Sequence, residues 1–291
     1  MALVLTACDS IDEDDRITKG EPEIHPFNPS LMIAEKDGEY FNVTNQHTLL
    51  IEDYTGWKCT NCPQMSEFID QKILNIYPSI VVGMHSEANT QLSSSQNMKF
   101  TLSTPVVDEI AQQYYGLNMA TESLPLVSLN REYNKLGKKY VSGLTSESQD
   151  ALSTLAYDLF LEHNIEHQSD LVLLSQNITK GSDDRSFEIS TFCYSAKPQD
   201  VMLELWVIEN DYVAIQMGAP NMLAYPHNHV FRQTVNGVAG EKISTNDEGV
   251  VVKHRCTLAE NVSVPENCEV VAIVSDPSTH RVINCHKTKL F

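Results

Sequence analysis

Two cysteines three residues apart, Cys59 and Cys62, are the side chains with the clearest chemical potential in this chain of 291 residues. A C-x-x-C pair supports thiol–disulfide exchange once one thiol ionises, and a free cysteine has a pKa of about 8.5. Pro63 suits the first turn of a helix. The positive end of the helix dipole and the neighbouring Lys58 would both favour a thiolate at Cys59. The spacing therefore predicts a solvent-facing Cys59 as the attacking thiol and a covered Cys62 as the resolving thiol.

An acidic residue precedes the pair. Asp53 lies six residues before Cys59, at the end of an apolar run that predicts a buried strand. This position resembles that of the buried carboxylate that shuttles the proton of the resolving thiol in thioredoxins, and the resemblance implies the same role for Asp53. Glu52 is the alternative, and a pair of solvated acids without a role fits equally well. His85, at the end of the next apolar run, is either a proton carrier or a loop histidine without a role.

The order of predicted elements around the pair is that of thioredoxin. A strand at 47–54 precedes the C-x-x-C, and a helix, a second strand at 80–84, a helix from Pro105, a hairpin and a last helix follow. Pro125 stands where thioredoxin-like proteins carry a cis-proline that leaves a backbone edge free for the substrate, although a strand-entry proline is the alternative. Thr60 and Asn61 replace the Gly-Pro of thioredoxin, so the redox potential stays unassigned.

A metal site is the other common use of a C-x-x-C pair, and the sequence does not favour it. A structural zinc site would need a second ligand pair, and the sequence contains no second C-x-x-C. His227 and His229 share one face of a predicted strand, but carboxylates and cysteines are not nearby in the sequence. We therefore predict no metal and no cofactor.

The last third of the chain has the alternating pattern of strands. Several short strands without intervening helices predict an antiparallel sandwich. Cys256 and Cys268 are symmetric about a probable hairpin loop near residue 262, which makes a disulfide between them a candidate. Buried free thiols are the alternative, because small thiol side chains suit apolar faces.

The first residues are typical of an export signal. Residues 3–8 (LVLTAC) resemble the lipobox of bacterial lipoproteins, in which the peptide is cut before the cysteine and the cysteine is acylated. Five acids between Asp9 and Asp15 cannot pack into a core. We expect lipidation at Cys8 and an extended tether up to residue 30, although the basic start of a signal peptide is missing.

The overall charge narrows the classes of partner. Asp and Glu outnumber Lys and Arg by 39 to 20, for a net charge of -19. A surface this acidic repels phosphate backbones, so we expect no nucleic-acid partner. The longest apolar run is too short for a membrane-spanning helix. Attachment to a membrane is therefore expected only through the lipid at Cys8.

Three stretches resemble the outer-membrane-protein-28-like family. They are residues 50–63 (LIEDYTGWKCTNCP), 124–131 (LPLVSLNR) and 227–232 (HNHVFR), and the resemblance spans about residues 31–291. It implies an α/β thioredoxin-like domain at 31–168 and an all-β immunoglobulin-like sandwich at 169–291. It also implies an outer-membrane lipoprotein, at the cell surface or the periplasmic face, for which adhesion and receptor roles have been suggested.

Two functions of different classes follow from these features. The first is thiol–disulfide exchange on exported proteins, whose thiols or disulfides would be the partners. The second is a non-enzymatic surface or adhesion protein that keeps its cysteine pair as a fixed disulfide. The redox behaviour of the Cys59–Cys62 pair distinguishes them.

Overall fold

The computed structural model describes residues 29–166 and 170–290. These residues form sixteen strands, numbered in chain order: β1 Leu31–Lys36, β2 Glu39–Thr44, β3 Leu49–Thr55, β4 Ser79–His85, β5 Leu126–Leu129, β6 Val141–Ser142, β7 Val172–Lys180, β8 Ser186–Ser195, β9 Gln199–Glu209, β10 Tyr212–Ala214, β11 Tyr225–His227, β12 Val230–Thr234, β13 Glu241–Thr245, β14 Val250–Thr257, β15 Cys268–Ser275 and β16 Val282–Lys289. Residues 1–28, which hold the predicted N-terminal signal and most of the predicted tether, lie outside the described residues.

Three α-helices accompany the strands: α1 Cys62–Ile69, α2 Pro105–Tyr115 and α3 Ser146–Leu161. Short π-helical turns at Asp70–Leu74 and Glu162–Glu166 extend α1 and α3, and 3-10 turns occur at Met119–Thr121, Met222–Ala224 and Pro265–Asn267. Helix α2 has clear end signals, because the Thr104 side chain caps its N-terminus and Gly116 ends it in the left-handed conformation. None of these described helices has the length and apolar character needed to cross a bilayer.

One nine-stranded sheet runs through the molecule. Its order is β16-β15-β9-β12-β4-β3-β5-β6, and β13 pairs with the remaining part of β9. The strands β3 and β4 are parallel, with Asp53 opposite Gly83. The parallel pair β12 and β4 joins the two halves of the chain, with Val230 opposite Gly83. Strands from before residue 130 and after residue 198 therefore share one hydrogen-bonded ladder.

The two faces of this sheet are covered differently. Helix α2 covers one face over a core that includes Leu50 and Tyr54 from β3 and Trp206 from β9. On the other face, α1 and α3 cover β3 and β5. The three-stranded sheet β14-β8-β7 covers β9 and β15 on that same face. Alternate residues of β3 thus face different environments, and Asp53 lies on the α1 side whereas Glu52 lies on the α2 side.

The predicted fold class, an α/β thioredoxin-like domain followed by an immunoglobulin-like sandwich, is wrong. Strands account for 40% of the structure and helices for 21%. The C-terminal strands β9, β12, β15 and β16 extend the sheet that contains β3 and β4. The physical reason is that periodicity identifies strands but not their partners, so a shared sheet looks like two separate units in the sequence.

Candidate functional site

The two cysteines of the C-x-x-C form a disulfide bond at the start of α1. The helix begins at Cys62, and Asn61 is its N-cap residue. The backbone amide of Cys62 donates to the carbonyl oxygen of Cys59 at 3.4 Å. Both residues are buried, with 3% of Cys59 and 2% of Cys62 exposed. Cys59 therefore differs from the expectation of a solvent-facing thiol.

One loop that covers the pair is the polar segment between β4 and α2. The backbone amide of Lys58 donates to Leu92 O at 3.0 Å. A Cβ atom on Gly56 would lie 2.3 Å from the same Leu92 oxygen, so the backbones approach closely there. The ammonium group of Lys58 donates to Thr90 O at 3.1 Å and lies 4.8 Å from the ring centroid of Trp57. The cation predicted beside Cys59 is thus held against this loop.

A second covering segment comes from the far end of the sequence. Residues 215–224, which we call the cover loop, connect β10 to β11. The side-chain amide of Gln216 donates to Gly56 O and Cys59 O, each at 3.1 Å. The backbone amide of Met217 donates to Trp57 O at 2.7 Å. Sequence reasoning missed this loop, because its contacts with the C-x-x-C cross more than 150 residues of chain.

Asp53 is buried beneath α1, on the side predicted for a proton shuttle. Its pKa is raised to about 7, mainly by burial; a hydrogen bond from Ser66 partly opposes this shift, and the charge of Asp70 adds to it. Ser66 Oγ donates to Asp53 Oδ2 at 3.2 Å. The other carboxyl oxygen, Oδ1, is buried without a hydrogen-bond partner among the described residues. A carboxyl group in this setting changes protonation near neutral pH.

Glu52, the alternative carboxylate, is engaged elsewhere. It lies on the α2 face of the sheet, where Arg131 Nη2 donates to its Oε1 atom at 3.2 Å. The hydroxyl of Tyr115 donates to its other oxygen. Both contacts engage the carboxylate of Glu52 on the α2 face of the sheet, whereas Asp53 faces α1.

A polar cavity of about 100 Å³ lies between α1 and the ends of β4 and β11. Asp53, Cys62, His85, Tyr225 and His227 are among the residues that line it. Burial holds the pKa of His85 well below its usual value, and the nearby His227 and Arg232 lower it further. His85 is therefore a neutral imidazole near pH 7 beside the same cavity as Asp53 and Cys62.

The histidines of the third motif do not form the predicted strand pair. His227 ends β11, whereas His229 adopts a positive φ of 59° between β11 and β12. The two imidazoles that meet are His85 and His227, with ring centroids 5.7 Å apart. Within the described parts of the chain, the histidines, cysteines and acids form no cluster of three or more that could hold a metal ion.

Pro125 lies at the start of β5, and the Leu124–Pro125 peptide bond is cis, as expected. Leu124 belongs to the same hydrophobic cluster as Cys59 and Cys62. The role of Pro125 in holding a substrate chain stays a prediction. Cys8, the predicted lipidation site, lies outside the described residues.

The candidate Cys256–Cys268 disulfide is not formed, and both residues are buried free thiols, which was the alternative. Cys256 lies in β14 of the three-stranded sheet, and Cys268 begins β15 of the nine-stranded sheet. The symmetry about residue 262 suggested a hairpin, but β14 pairs with β8 and β15 pairs with β9 and β16. Burial raises the pKa of the Cys256 thiol to about 11 and that of Cys268 to about 12, which makes both thiols unreactive at neutral pH.

A comparison with protein families finds one match that covers more than half of the chain. The model of the family described as outer membrane protein Omp28 matches residues 111–290. No curated protein matches the sequence.

Two solved structures from Porphyromonas gingivalis are similar. HBP35 has a TM-score of 0.62 at 18% identity, and the match covers 84% of this chain and 76% of that chain. A domain of the outer membrane lipoprotein Omp28 has a TM-score of 0.32 at 18% identity, over 42% of this chain and 88% of that chain. The first match shows a shared fold.

Proposed function

The chain belongs to the Omp28 family of outer membrane proteins, and we propose that it catalyses thiol–disulfide exchange on exported proteins through Cys59 and Cys62. The observation that supports this function best is the pairing of the C-x-x-C at a helix start with a buried carboxyl group. Asp53 lines the same cavity as Cys62, and burial raises its pKa to about 7. Perturbed carboxyl groups beside nucleophiles are typical of sites that transfer protons.

The localisation of the chain follows from its family. Omp28 proteins are outer membrane proteins, and the P. gingivalis member is described as an outer membrane lipoprotein. The outer-membrane localisation predicted from the sequence is confirmed. Attachment through Cys8 and the side of the membrane on which the protein lies stay predictions.

The oxidised pair accepts two electrons in the proposed reaction. A thiolate of the client protein attacks Cys59 Sγ, the bond between the two sulfurs breaks, and Cys62 leaves as a thiolate. A second client thiolate attacks the client sulfur of this mixed disulfide and releases Cys59. The client gains a disulfide bond, and the pair ends as a dithiol. The reverse sequence reduces a client disulfide and restores the Cys59–Cys62 bond.

Asp53 supplies or accepts the proton in this scheme. A carboxyl group with a pKa of about 7 is partly protonated near neutral pH. It can therefore protonate the Cys62 thiolate as this thiolate leaves, and take the proton back when Cys62 attacks the mixed disulfide. The raised pKa matches the carboxyl group to both directions of exchange.

A redox titration and an insulin-reduction assay test the function. In the titration, the purified full-length chain is equilibrated in glutathione buffers of known potential. In the second assay, the chain is tested for catalysis of the reduction of insulin by dithiothreitol. We expect reversible oxidation of the pair and faster insulin reduction than with the Cys59→Ser/Cys62→Ser double variant. Cys256→Ser, at a buried free thiol, is the matched control and should behave as the unmodified protein. Insulin reduction no faster than that of the double variant would reject the proposal.

The burial of the disulfide favours a second candidate function. With both cysteines covered by two loops, the pair would be a fixed structural bond and the protein a surface or adhesion protein. Structural disulfides resist reduction by the glutathione pool. A pair that stays oxidised throughout the titration, together with inactivity on insulin, would support this alternative.

A further inference from the structure

The cover loop lies in a part of the sequence that has no charged side chains. Asp, Glu, Lys and Arg are all absent from residues 212–231, in a chain in which they make up 20% of residues. Strands β10 and β11 form an isolated two-stranded hairpin, and the cover loop is its connection. The loop is thus a separate projection that reaches from the hairpin to the C-x-x-C.

Gln216 attaches this projection to the cysteine pair. Its side chain is 3% exposed, and its amide nitrogen lies 3.1 Å from the carbonyl oxygens of both Gly56 and Cys59. These two carbonyls belong to the turn that carries the disulfide. A single amide group therefore connects the loop to both sides of the reactive turn.

Gly218 brings the backbone of the loop against the same turn. Its φ is +84°, and a Cβ atom there would lie 2.2 Å from Thr60 O and 2.8 Å from Thr60 Cα. Thr60 is one of the two residues between the cysteines. Only glycine fits both the close approach and the left-handed conformation. The loop therefore lies directly against the backbone between Cys59 and Cys62.

The outer side of the loop is exposed to solvent. Leu223 is 77% exposed, and Met222 and Met217 are 41% and 38% exposed. Apolar side chains that remain in water add little to the attachment of a segment. The hydrogen bonds that join the loop to the C-x-x-C turn come from Gln216 and Met217, and Ile215 packs against the cluster that contains Trp57. Segments held by few contacts open at a lower free-energy cost than the core.

We propose that the cover loop is a lid that controls access to the Cys59–Cys62 disulfide, and that Gln216 is the positioning residue that keeps it closed. The regulatory role of this lid rests on the proposed thiol–disulfide exchange. The closed lid keeps the sulfurs away from passing thiols, and opening allows a client thiolate to approach Cys59. Residues 215–224 therefore decide how fast the pair reacts without taking part in the bond exchange.

The test is the rate at which dithiothreitol reduces the Cys59–Cys62 bond in the folded full-length chain. Reduction is stopped at intervals by alkylation, and each cysteine is quantified by peptide mass spectrometry. Gln216→Ala removes the two hydrogen bonds, which should speed reduction about tenfold, since each such bond is worth several-fold in an equilibrium constant. Gly218→Ala forces the loop away from Thr60 and should speed reduction at least as much.

Asn221→Ala is the matched control within the same loop. The Asn221 amide donates to Ala224 O at 2.8 Å, inside the loop and exposed, so this variant should reduce at the unmodified rate. If Gln216→Ala and Gly218→Ala also reduce at that rate, the lid is rejected. In urea, where the fold is lost, all four proteins should reduce at the same rate.

Cys285 separates opening of the lid from unfolding of the protein. It is a free thiol with 2% exposure in the core and should remain unalkylated while the faster variants lose their disulfide. Alkylation of Cys285 in step with Cys59 would show exposure by unfolding and would overturn the proposal. Fast reduction of the variants together with inactivity on insulin would support the lid and reject the proposed function, so the two failures can be distinguished.

Discussion

The two cysteines of the disulfide have different surroundings, which agree with the roles proposed for them. Cys62 is the first residue of α1 and lines the cavity that Asp53 also lines. Cys59 precedes the N-cap by two residues, and its carbonyl oxygen accepts a hydrogen bond from Gln216 of the cover loop. The position of Cys62 beside Asp53 suits the resolving thiol of the proposed exchange. The position of Cys59 next to the cover loop suits the proposed attacking thiol.

Single serine variants should therefore behave differently. Cys62→Ser leaves Cys59 able to attack a client disulfide but removes the thiol that resolves the product, so mixed disulfides with client proteins should accumulate. Cys59→Ser should trap none. Non-reducing electrophoresis of cells that express each variant, followed by mass spectrometry of the adducts, measures the difference. Adducts that form only with Cys59→Ser would reverse the two roles.

The raised pKa of Asp53 makes the stability of the fold depend on pH. The folded state binds this proton up to about pH 7, whereas an unfolded Asp releases it near pH 3.9. Stability is therefore fully present below about pH 4 and is lost as the pH rises towards 7. Asp53→Asn removes this loss, because the amide is neutral at every pH.

The expected gain from Asp53→Asn is larger at pH 8 than at pH 5, by about 3 kcal/mol, since each pKa unit corresponds to roughly 1.4 kcal/mol. Urea unfolding of both proteins at the two pH values measures it. Ser66→Ala, which removes only the hydrogen bond to Asp53 Oδ2, is a control that should not remove the pH dependence. An equal gain for Asp53→Asn at pH 5 and pH 8 would contradict the raised pKa.

At the scale of elements, a buried ion-pair network connects β3, the segment after β5 and β9. Arg131 is fully buried, and its guanidinium donates to Glu204 at 2.7 Å and to Glu52 at 3.2 Å. Its Cζ atom lies 3.6 Å from the ring centroid of Tyr114 in α2. Although desolvation lowers its pKa, the carboxylates of Glu204 and Glu52 together hold the pKa of Arg131 well above its usual value. The network therefore depends on one permanently charged arginine.

Replacing this arginine should destabilise the protein strongly. Arg131→Met leaves the carboxylates of Glu52 and Glu204 buried without their cation, which typically costs about 3–5 kcal/mol. The exposed pair of Arg255 with Glu188 provides the control, and Arg255→Ala should cost less than about 1 kcal/mol. Urea unfolding at pH 7 measures both. A loss for Arg131→Met no larger than for Arg255→Ala would show that the network contributes little.

Local signals in the sequence predicted much of the site. Pro63 and the apolar spacing indicated α1, and the position of Asp53 indicated a carboxyl group under that helix. The spacing of the residues could not predict the pKa shift of Asp53. This shift depends on how completely the helix and the histidines of the cavity exclude water from the carboxyl group. The sequence contained one indirect indication of the role of Gln216, which is its place in a stretch without charged residues. This stretch alone does not show which part of the protein the loop covers.

At the scale of the whole molecule, the sequence predicted strands but not the sheet that they form. The pairing of Val230 with Gly83 depends on a register between segments far apart in the chain. Such a register is set by packing and turn geometry, which leave no local pattern. The predicted domain boundary between residues 168 and 169 stays a prediction. The nine-stranded sheet and the core covered by α2 contain strands from both sides of this boundary.

A sheet and a core shared by both halves predict that the chain unfolds in one cooperative step. The chain contains two tryptophans, and they report on different places. Trp57 lies beside the C-x-x-C, where its indole donates to Ser94 O at 2.9 Å. Trp206 is fully buried in β9 and packs against Phe231 of β12. Separating the halves would expose the core around Trp206 and uncover the Arg131 network, so a half-folded state should be costly.

Single-tryptophan variants measure this cooperativity. Trp206→Phe leaves the fluorescence of Trp57, and Trp57→Phe leaves that of Trp206. Within each variant we expect the urea midpoint from fluorescence to coincide with the midpoint from far-ultraviolet circular dichroism, because one transition moves both signals. Comparing the probes within a variant removes any effect of the substitution on overall stability. If the Trp57 signal changes at a lower urea concentration than the dichroism, the region around the C-x-x-C unfolds by itself, and the shared sheet does not couple the two halves.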